Sequence, residues 1–316
     1  MMEEKGNGVD SISLAIARIF YELQTAQEPS EDGNSYHGSV SIKCLIKSFG
    51  WTGEQVFEQH DIQEAARILL DDLQQKMRET RVSEVIRNLF QGTVESGVKC
   101  INVDYKSYKK DIFYDIQLDV RGCNDIYHSF EKYIKPERLD GDNKYHAEGH
   151  GLQDAEKVVN FKTLPKVLML HLKRFEYTPF GTLQKVSDVH QFYDQVDLTK
   201  YVKQSNGNKR EYKYSLHAVL IHKGSTVTSG HYVVAVNVSS APEKKEWYLF
   251  DDERVSKLSS MEAIQANFGG SSSTAYMLVY VRHDAITDMI KPVTKQDVPE
   301  FLQEKFKREA EGCTIL

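Results

Sequence analysis

The stretch HKGSTVTSGHYVVAVN, residues 222–237, followed by EWYLFDDERVS, residues 246–256, decides how this chain is read. HYVVAVN and WYLFDD are rich in β-branched and aromatic residues, which marks two strands joined by the polar loop 238–246. If Asn237 faces Trp247 across an antiparallel pair, Val233 faces Asp251 and His231 faces Glu253. His231 and Asp251 are then diagonal neighbours on one face, within side-chain reach. Asp252 is expected to point the other way, and a slip of one residue exchanges the two acids. Two readings fit these residues alone. In one, Asp251 orients a ring N–H of His231 while the other ring nitrogen serves as a general base. In the other, a hydrogen-bonded structural histidine sits beside two surface acids. Gly224 and Gly230 bracket the polar loop before His231, which suits backbone that must move or come close to a substrate.

Outward from this pair, the period of the apolar residues changes once. In the N-terminal third, Ile12, Ile16, Ile19, Phe20 and Leu23 form one helical stripe capped at Asp10 or Ser11. Ile62, Ala66, Leu69, Leu73 and Met77 form a second stripe over about residues 60–79, and shorter helical signals lie at 41–49 and 82–90. From about residue 98 strands take over. KCINVDYKS and DIFYDIQLDV read as a long hairpin, NDIYHSFEKYI as a short helix, and KVLMLHLKRFEY, KYSLHAVLIH and TAYMLVYVR as further strands. Helices followed by mostly antiparallel strands predict an α+β fold. The expected division is a domain over residues 1–283 and a charged, solvent-facing helical tail over 284–316, carried by DVPEFLQEKFKREAEG.

The bulk composition is that of a globular chain able to bury a sizeable core: 316 residues, 40% hydrophobic and 27% charged. No apolar run approaches the length of a membrane span, and MMEEKGNGVD lacks the core of a signal peptide, so the expected location is cytoplasm or nucleus. A net charge of −6 argues against a nucleic-acid partner. Cys44, Cys100, Cys123 and Cys313 include no CxxC pair, which predicts neither a disulfide framework nor a zinc ribbon. No metal or cofactor is expected.

Three further constellations each carry two readings. Asp61 and Glu64 share the side of a helix away from its apolar stripe; they either clamp a basic partner or are dipole-favoured acids at a solvated helix start. His146, Glu148 and His150 have metal-like spacing, but Gly149 and Gly151 interrupt the helix that would align the rings, so the segment reads as a polar surface loop. The last four residues, CTIL, match a prenylation pattern at Cys313, without a polybasic run nearby; a chance match is the preferred reading, and membrane attachment is expected only if Cys313 is lipidated.

Taken in order, SFGWTGEQVFEQHDIQE, DIFYDIQLDVRG, LDGDNKYHAEGHGLQDAEK, LMLHLKRFEY, LHAVLIH with SGHYVVAVN, WYLFDDERVS and AYMLVYVR resemble the ubiquitin-specific proteases over about residues 11–316. The resemblance implies a papain-like cysteine protease fold of thumb, palm and fingers that holds ubiquitin, or ubiquitinated proteins, and cuts after the C-terminal glycine of ubiquitin. It makes His231 the general base, Asp251 its orienting acid and Asp252 a supporting polar residue. It assigns Asp61 and Glu64 to the basic tail of ubiquitin, and Trp51 and Phe57 to the surroundings of the catalytic centre. His150 and Tyr232 are further implied ubiquitin contacts, Lys223 to Gly230 a loop over the cleft, and 98–120 part of the fingers. The family's opening box, of the form GLxNxGxTCYMNS, supplies the nucleophilic cysteine and an oxyanion-stabilising asparagine. No such box stands in these 316 residues. The expectation is therefore a truncated thumb and no hydrolysis by this sequence as written, the alternatives being part of a longer active deubiquitinase or a non-catalytic scaffold. Cys44, Cys100, Cys123 and Cys313 lack the adjacent base and electropositive setting that a reactive thiolate needs.

Overall fold

The computed structural model describes residues 11–25, 40–50, 61–204, 210–227, 230–239, 244–289 and 297–312. In chain order its helices are α1 Ile12–Thr25, α2 Lys43–Ser48, α3 Ile62–Met77, α4 Val85–Phe90, α5 Ile126–Ile134, α6 Ser260–Ala263, α7 Ile286–Met289 and α8 Glu300–Gly312. The strands are β1 Gly92–Cys100, β2 Lys106–Phe113, β3 Asp115–Asp119, β4 Glu137–Leu139, β5 Tyr145–Ala147, β6 Gly151–Gln153, β7 Ala155–Thr163 and β8 Val167–Lys173. They continue with β9 Phe175–Tyr177, β10 Leu183–Lys185, β11 Gln195–Asp197, β12 Lys213–Lys223, β13 His231–Asn237, β14 Trp247–Asp251, β15 Arg254–Leu258 and β16 Ser273–Arg282. The chain divides into two compact units, one of residues 1–84 with 291–316 and one of residues 85–290.

In the first unit α1 buries Ile12 and Ala15, while Phe20 and Leu23 of the expected stripe are exposed. The seat lies one turn nearer the N-terminus than the largest side chains suggest, because Ala15 permits close helix approach where Phe20 would not. The helix α3 starts at Asp61, whose Oδ1 accepts a hydrogen bond from the Gln63 N–H at 2.7 Å. Its buried residue is Leu70. The expectation of a solvent-facing tail helix is corrected: α8 buries Phe306, whose ring lies 5.4 Å from that of Tyr21 and takes the Arg18 guanidinium over its face at 5.7 Å. One aromatic side chain in a charged helix is enough to anchor it to α1, through ring contact and cation–π attraction.

The second unit is built on a sheet in the order β15-β14-β13-β12-β16-β8-β3, with β11 pairing β12 from outside this path. A four-stranded sheet, β2-β1-β7-β4, stands beside two short hairpins, β9–β10 and β5–β6. The expected long hairpin at 98–120 is two separate features. The strand β1 begins at Gly92 and pairs with β2, whereas β3 leaves that sheet and runs parallel to β8. Ile116 and Leu118 are buried, so burying the apolar face of DIQLD in the main core outweighs extending the hairpin. GTVESGVKC hides β1 because two glycines and four polar residues weaken the alternation. The segment around His146 and His150, expected as a loop, is the β5–β6 hairpin.

The main core packs Trp247, Tyr214, Tyr280, Phe130, Phe161 and Phe192 with the aliphatic residues of β3, β8, β12 and β16. Arg174, fully buried between β8 and β9, ties its edges together. Its guanidinium donates to the carbonyls of Asp188 at 2.6 Å, Phe268 at 2.7 Å, Val186 at 3.2 Å and Ala275 at 3.3 Å. Burial pulls its pKa down to about 10. Among the described residues no helix is long and apolar enough to cross a membrane.

Candidate active site

Three adjacent strands build the site. Val219 and Ile221 of β12, Val233 and Ala235 of β13, and Trp247 of β14 are buried. With a period of two, Lys223, His231 and Asp251 continue these rows at the strand ends. The ladder between β13 and β14 has the expected register, with Asn237 opposite Trp247 and Val234 opposite Phe250. On the other side Lys223 stands opposite His231. This register brings His231 Nε2 to 2.7 Å from Asp251 Oδ1. The other carboxylate oxygen, Oδ2, accepts a hydrogen bond from Lys223 Nζ at 2.9 Å. The Lys223 ammonium, and after it the His231 ring, hold the Asp251 carboxyl below the usual carboxylate range. With Nε2 engaged by the acid, Nδ1 is the ring nitrogen left to exchange a proton with a reacting group.

Asp252 departs from the expectation that it points away. It lies beyond the end of β14, in the turn that pairs Asp251 with Arg254, and has φ +53°. Strand alternation does not govern a turn residue, and aspartate tolerates this left-handed conformation better than most side chains. Its Oδ2 comes to 3.7 Å from His231 Nε2, beyond hydrogen-bond distance. The donor atoms of His231, Asp251 and Asp252 lie within 4.8 Å of one another, the one such group of three among the described residues. Lys223 and the imidazole already occupy both oxygens of Asp251, so the chemistry of the donor set is that of a hydrogen-bonded acid–base pair rather than a ligand cage.

The other candidates fall elsewhere. Asp61 caps α3 and Glu64 stands exposed in its first turn, both in the first unit. Trp51 and Phe57 lie outside the described residues. His150 is exposed beside the β5–β6 hairpin with its ring 6.1 Å from that of Tyr105. Tyr232 alternates with His231 along β13 and packs against His222 at 5.1 Å and Tyr276 at 5.5 Å, away from the base and its acid. Cys100 and Cys123 are buried, and Cys44, half-buried, takes a contact from Arg18 Nη1 at 3.6 Å.

Sequence reading missed three residues that support the site. Lys223 lies inside the opening motif and pairs with His231 across the strands. Lys185 of β10 donates to the carbonyls of His222 at 3.3 Å and Gly224 at 2.5 Å, the two residues flanking Lys223. Burial, and then Arg174, pull the Lys185 pKa down to about 8. His222 packs against Gly230, where a Cβ would fall 2.1 Å from its Nε2. The glycine before the base is therefore needed for the close approach of the chain's own His222.

An α+β fold with a His–Asp pair at the ends of neighbouring strands defines the class: a papain-like hydrolase architecture. Residues 2–280 match the family described as Ubiquitin carboxyl-terminal hydrolase. The chain belongs to the ubiquitin carboxyl-terminal hydrolase family. It is 41% identical to Ubiquitin C-terminal hydrolase 12 of Arabidopsis thaliana, over 95% of this chain and 28% of that protein. It is 40% identical to Ubiquitin carboxyl-terminal hydrolase 7 of Drosophila melanogaster, over 97% of this chain and 27% of that protein. The chain thus spans little more than a quarter of the length of these relatives. Its fold is similar to a chain of the SAGA Ubp8/Sgf11/Sus1/Sgf73 DUB module bound to ubiquitin aldehyde, with a TM-score of 0.70 and 24% identity, covering 89% of this chain and 61% of that one.

Proposed function

We propose that this chain is a ubiquitin-recognising domain of the cysteine-type deubiquitinases, with His231 as its general base and Asp251 as the acid that orients the base. The observation that carries the reading is the 2.7 Å contact between His231 Nε2 and Asp251 Oδ1 at the end of two core strands. It fits a base that must accept a thiol proton and hold it as an imidazolium. We further propose that these 316 residues by themselves bind ubiquitin without turning conjugates over. Burial of Cys100 and Cys123, at 4% and 3% exposure, supports this, because neither sulfur is open to attack a conjugate.

Two measurements test the reading. Immobilised ubiquitin is expected to retain the chain, and Asp61→Asn with Glu64→Gln is expected to weaken retention at least fivefold. Asparagine keeps an acceptor for the Gln63 N–H, so the change removes charge while preserving the cap. Equal retention of parent and variant would remove Asp61 and Glu64 from ubiquitin recognition. In hydrolysis of a ubiquitin–aminocoumarin conjugate the chain is expected to be silent. Turnover that disappears in His231→Ala would establish His231 as essential and overturn the proposed inactivity.

A further inference from the structure

Lys223, His231 and Asp251 occupy one row across three neighbouring strands, and their polar heads form a chain: Nζ to Oδ2 at 2.9 Å, then Oδ1 to Nε2 at 2.7 Å. We propose that Lys223 is a positioning residue for the base: its ammonium locks Asp251 behind His231, and Lys185 holds the backbone from which Lys223 extends. The inference rests on the reading of His231 as a general base and adds a residue to that site.

The argument begins with the carboxylate. An aspartate held through one oxygen retains freedom about χ2, a broad torsion. With Lys223 on Oδ2 and His231 on Oδ1, both oxygens are fixed, and the one facing the ring stays in the ring plane's reach. The support continues behind Lys223. Lys185 Nζ bonds to the carbonyls of His222 and Gly224, so the residues on either side of Lys223 are tethered to β10. Gly224 is tied again through its N–H to the Ser272 carbonyl at 2.8 Å.

Charge follows the same geometry. Among the described residues, the titratable groups around the His231 ring are Asp251 and Asp252 from β14 and its turn, and Lys223 from β12. Arg254 stands opposite Asp251 on β15, and Lys185 lies behind the end of β12. The Lys223 ammonium sets a positive charge against one of the two acids that face the ring. At side-chain exposures of 40% for Lys223 and 33% for Asp251, solvent screens this effect without abolishing it.

The test is an NMR titration of the His231 ring in the full 316-residue chain, its signals assigned by their loss in His231→Gln. Lys223→Met is expected to raise the His231 pKa by about half a unit to one unit. Lys223→Arg, which keeps charge and donor, is expected to stay within about 0.2 units of the parent. Lys223→Gln, which keeps a donor without the charge, is expected to match Lys223→Met and serves if that variant does not fold. An unchanged pKa in the uncharged variant, or an equal rise in Lys223→Arg, overturns the proposal. The titration needs no turnover, so it returns an answer even if ubiquitin binding and hydrolysis both fail; conversely, an unchanged pKa leaves the assignment of the base intact.

Discussion

Gly230 shows how one residue without a side chain constrains the site. A Cβ there would lie 2.1 Å from His222 Nε2 and 2.8 Å from the Lys223 carbonyl oxygen. Neither can retreat easily: His222 is buried against Phe175 and Tyr232, and Lys223 is held by its strand partners. Gly230→Ala is expected to destabilise the chain by about 1–3 kcal/mol in urea unfolding, as overpacking does in a dense core. Pairing it with His222→Ala should recover part of that loss, because the methyl group then fills space that the imidazole vacated. Simple additivity of the two single changes would show that the contact is not what makes Gly230 necessary. The same scale separates the two acids of the opening motif. Asp251 is a strand residue whose direction follows from register, whereas Asp252 is a turn residue whose direction follows from φ +53°. No alternation rule could have placed the second.

At the level of elements, Arg174 joins segments distant in sequence by donating to four carbonyl oxygens around β8, β9, β16 and residues 186–188 and 268. Arg174→Met would keep much of the apolar stem but leave those carbonyls buried without their donor. Each such acceptor costs roughly 1–3 kcal/mol, so the expected loss in thermal or urea unfolding is about 3 kcal/mol or more. A loss below about 1 kcal/mol would mean that water or neighbouring N–H groups take over the carbonyls. The strand pair β13–β14 was legible in advance because each strand carries its own apolar alternation and a buried face makes a one-residue slip costly. The strands β1, β7 and β15 were not: GTVESGVKC, AEKVVNFKT and RVSKL are too polar to announce themselves and become strands through partners already in place. The tail helix α8 was legible as a helix, but its docking on α1 through Phe306 was not, since Leu302 and Phe306, one turn apart, do not name the helix that receives them.

For the molecule as a whole, buried histidines set the acid limit. Burial holds His190 down to about 4, with Arg174 adding to it, and holds His222 down to about 4, with Lys185 adding to it. Both are neutral in the folded second unit but take up a proton near pH 6.5 once unfolded. Between about pH 6.5 and 4 the unfolded state therefore binds more protons, and stability, full above that window, is lost as the pH falls through it. At 1.36 kcal/mol per pKa unit the two together represent on the order of several kcal/mol. The urea midpoint is expected to fall steadily from pH 6.5 to 4, and His190→Gln should flatten that slope. A midpoint that is level down to pH 4 would show that these rings are not the neutral, buried groups the packing implies.

What the sequence determined by itself is whatever repeats locally: the α+β class, the strands carrying His231 and Asp251, and the motif order of the family, while the register that joins the two strands was fixed by the structure. Those features are legible because alternation and turn residues act over a few positions of chain. What only the tertiary structure decided is whatever depends on separate segments meeting. Lys185 reaches the carbonyls beside Lys223 from a different hairpin, Arg174 staples carbonyls that lie up to about a hundred residues away, and β3 leaves its hairpin for the main sheet. The physical reason is common to all three. A buried hydrogen bond or apolar face is satisfied by whichever partner the assembled core brings within reach, and distance along the chain does not enter that condition.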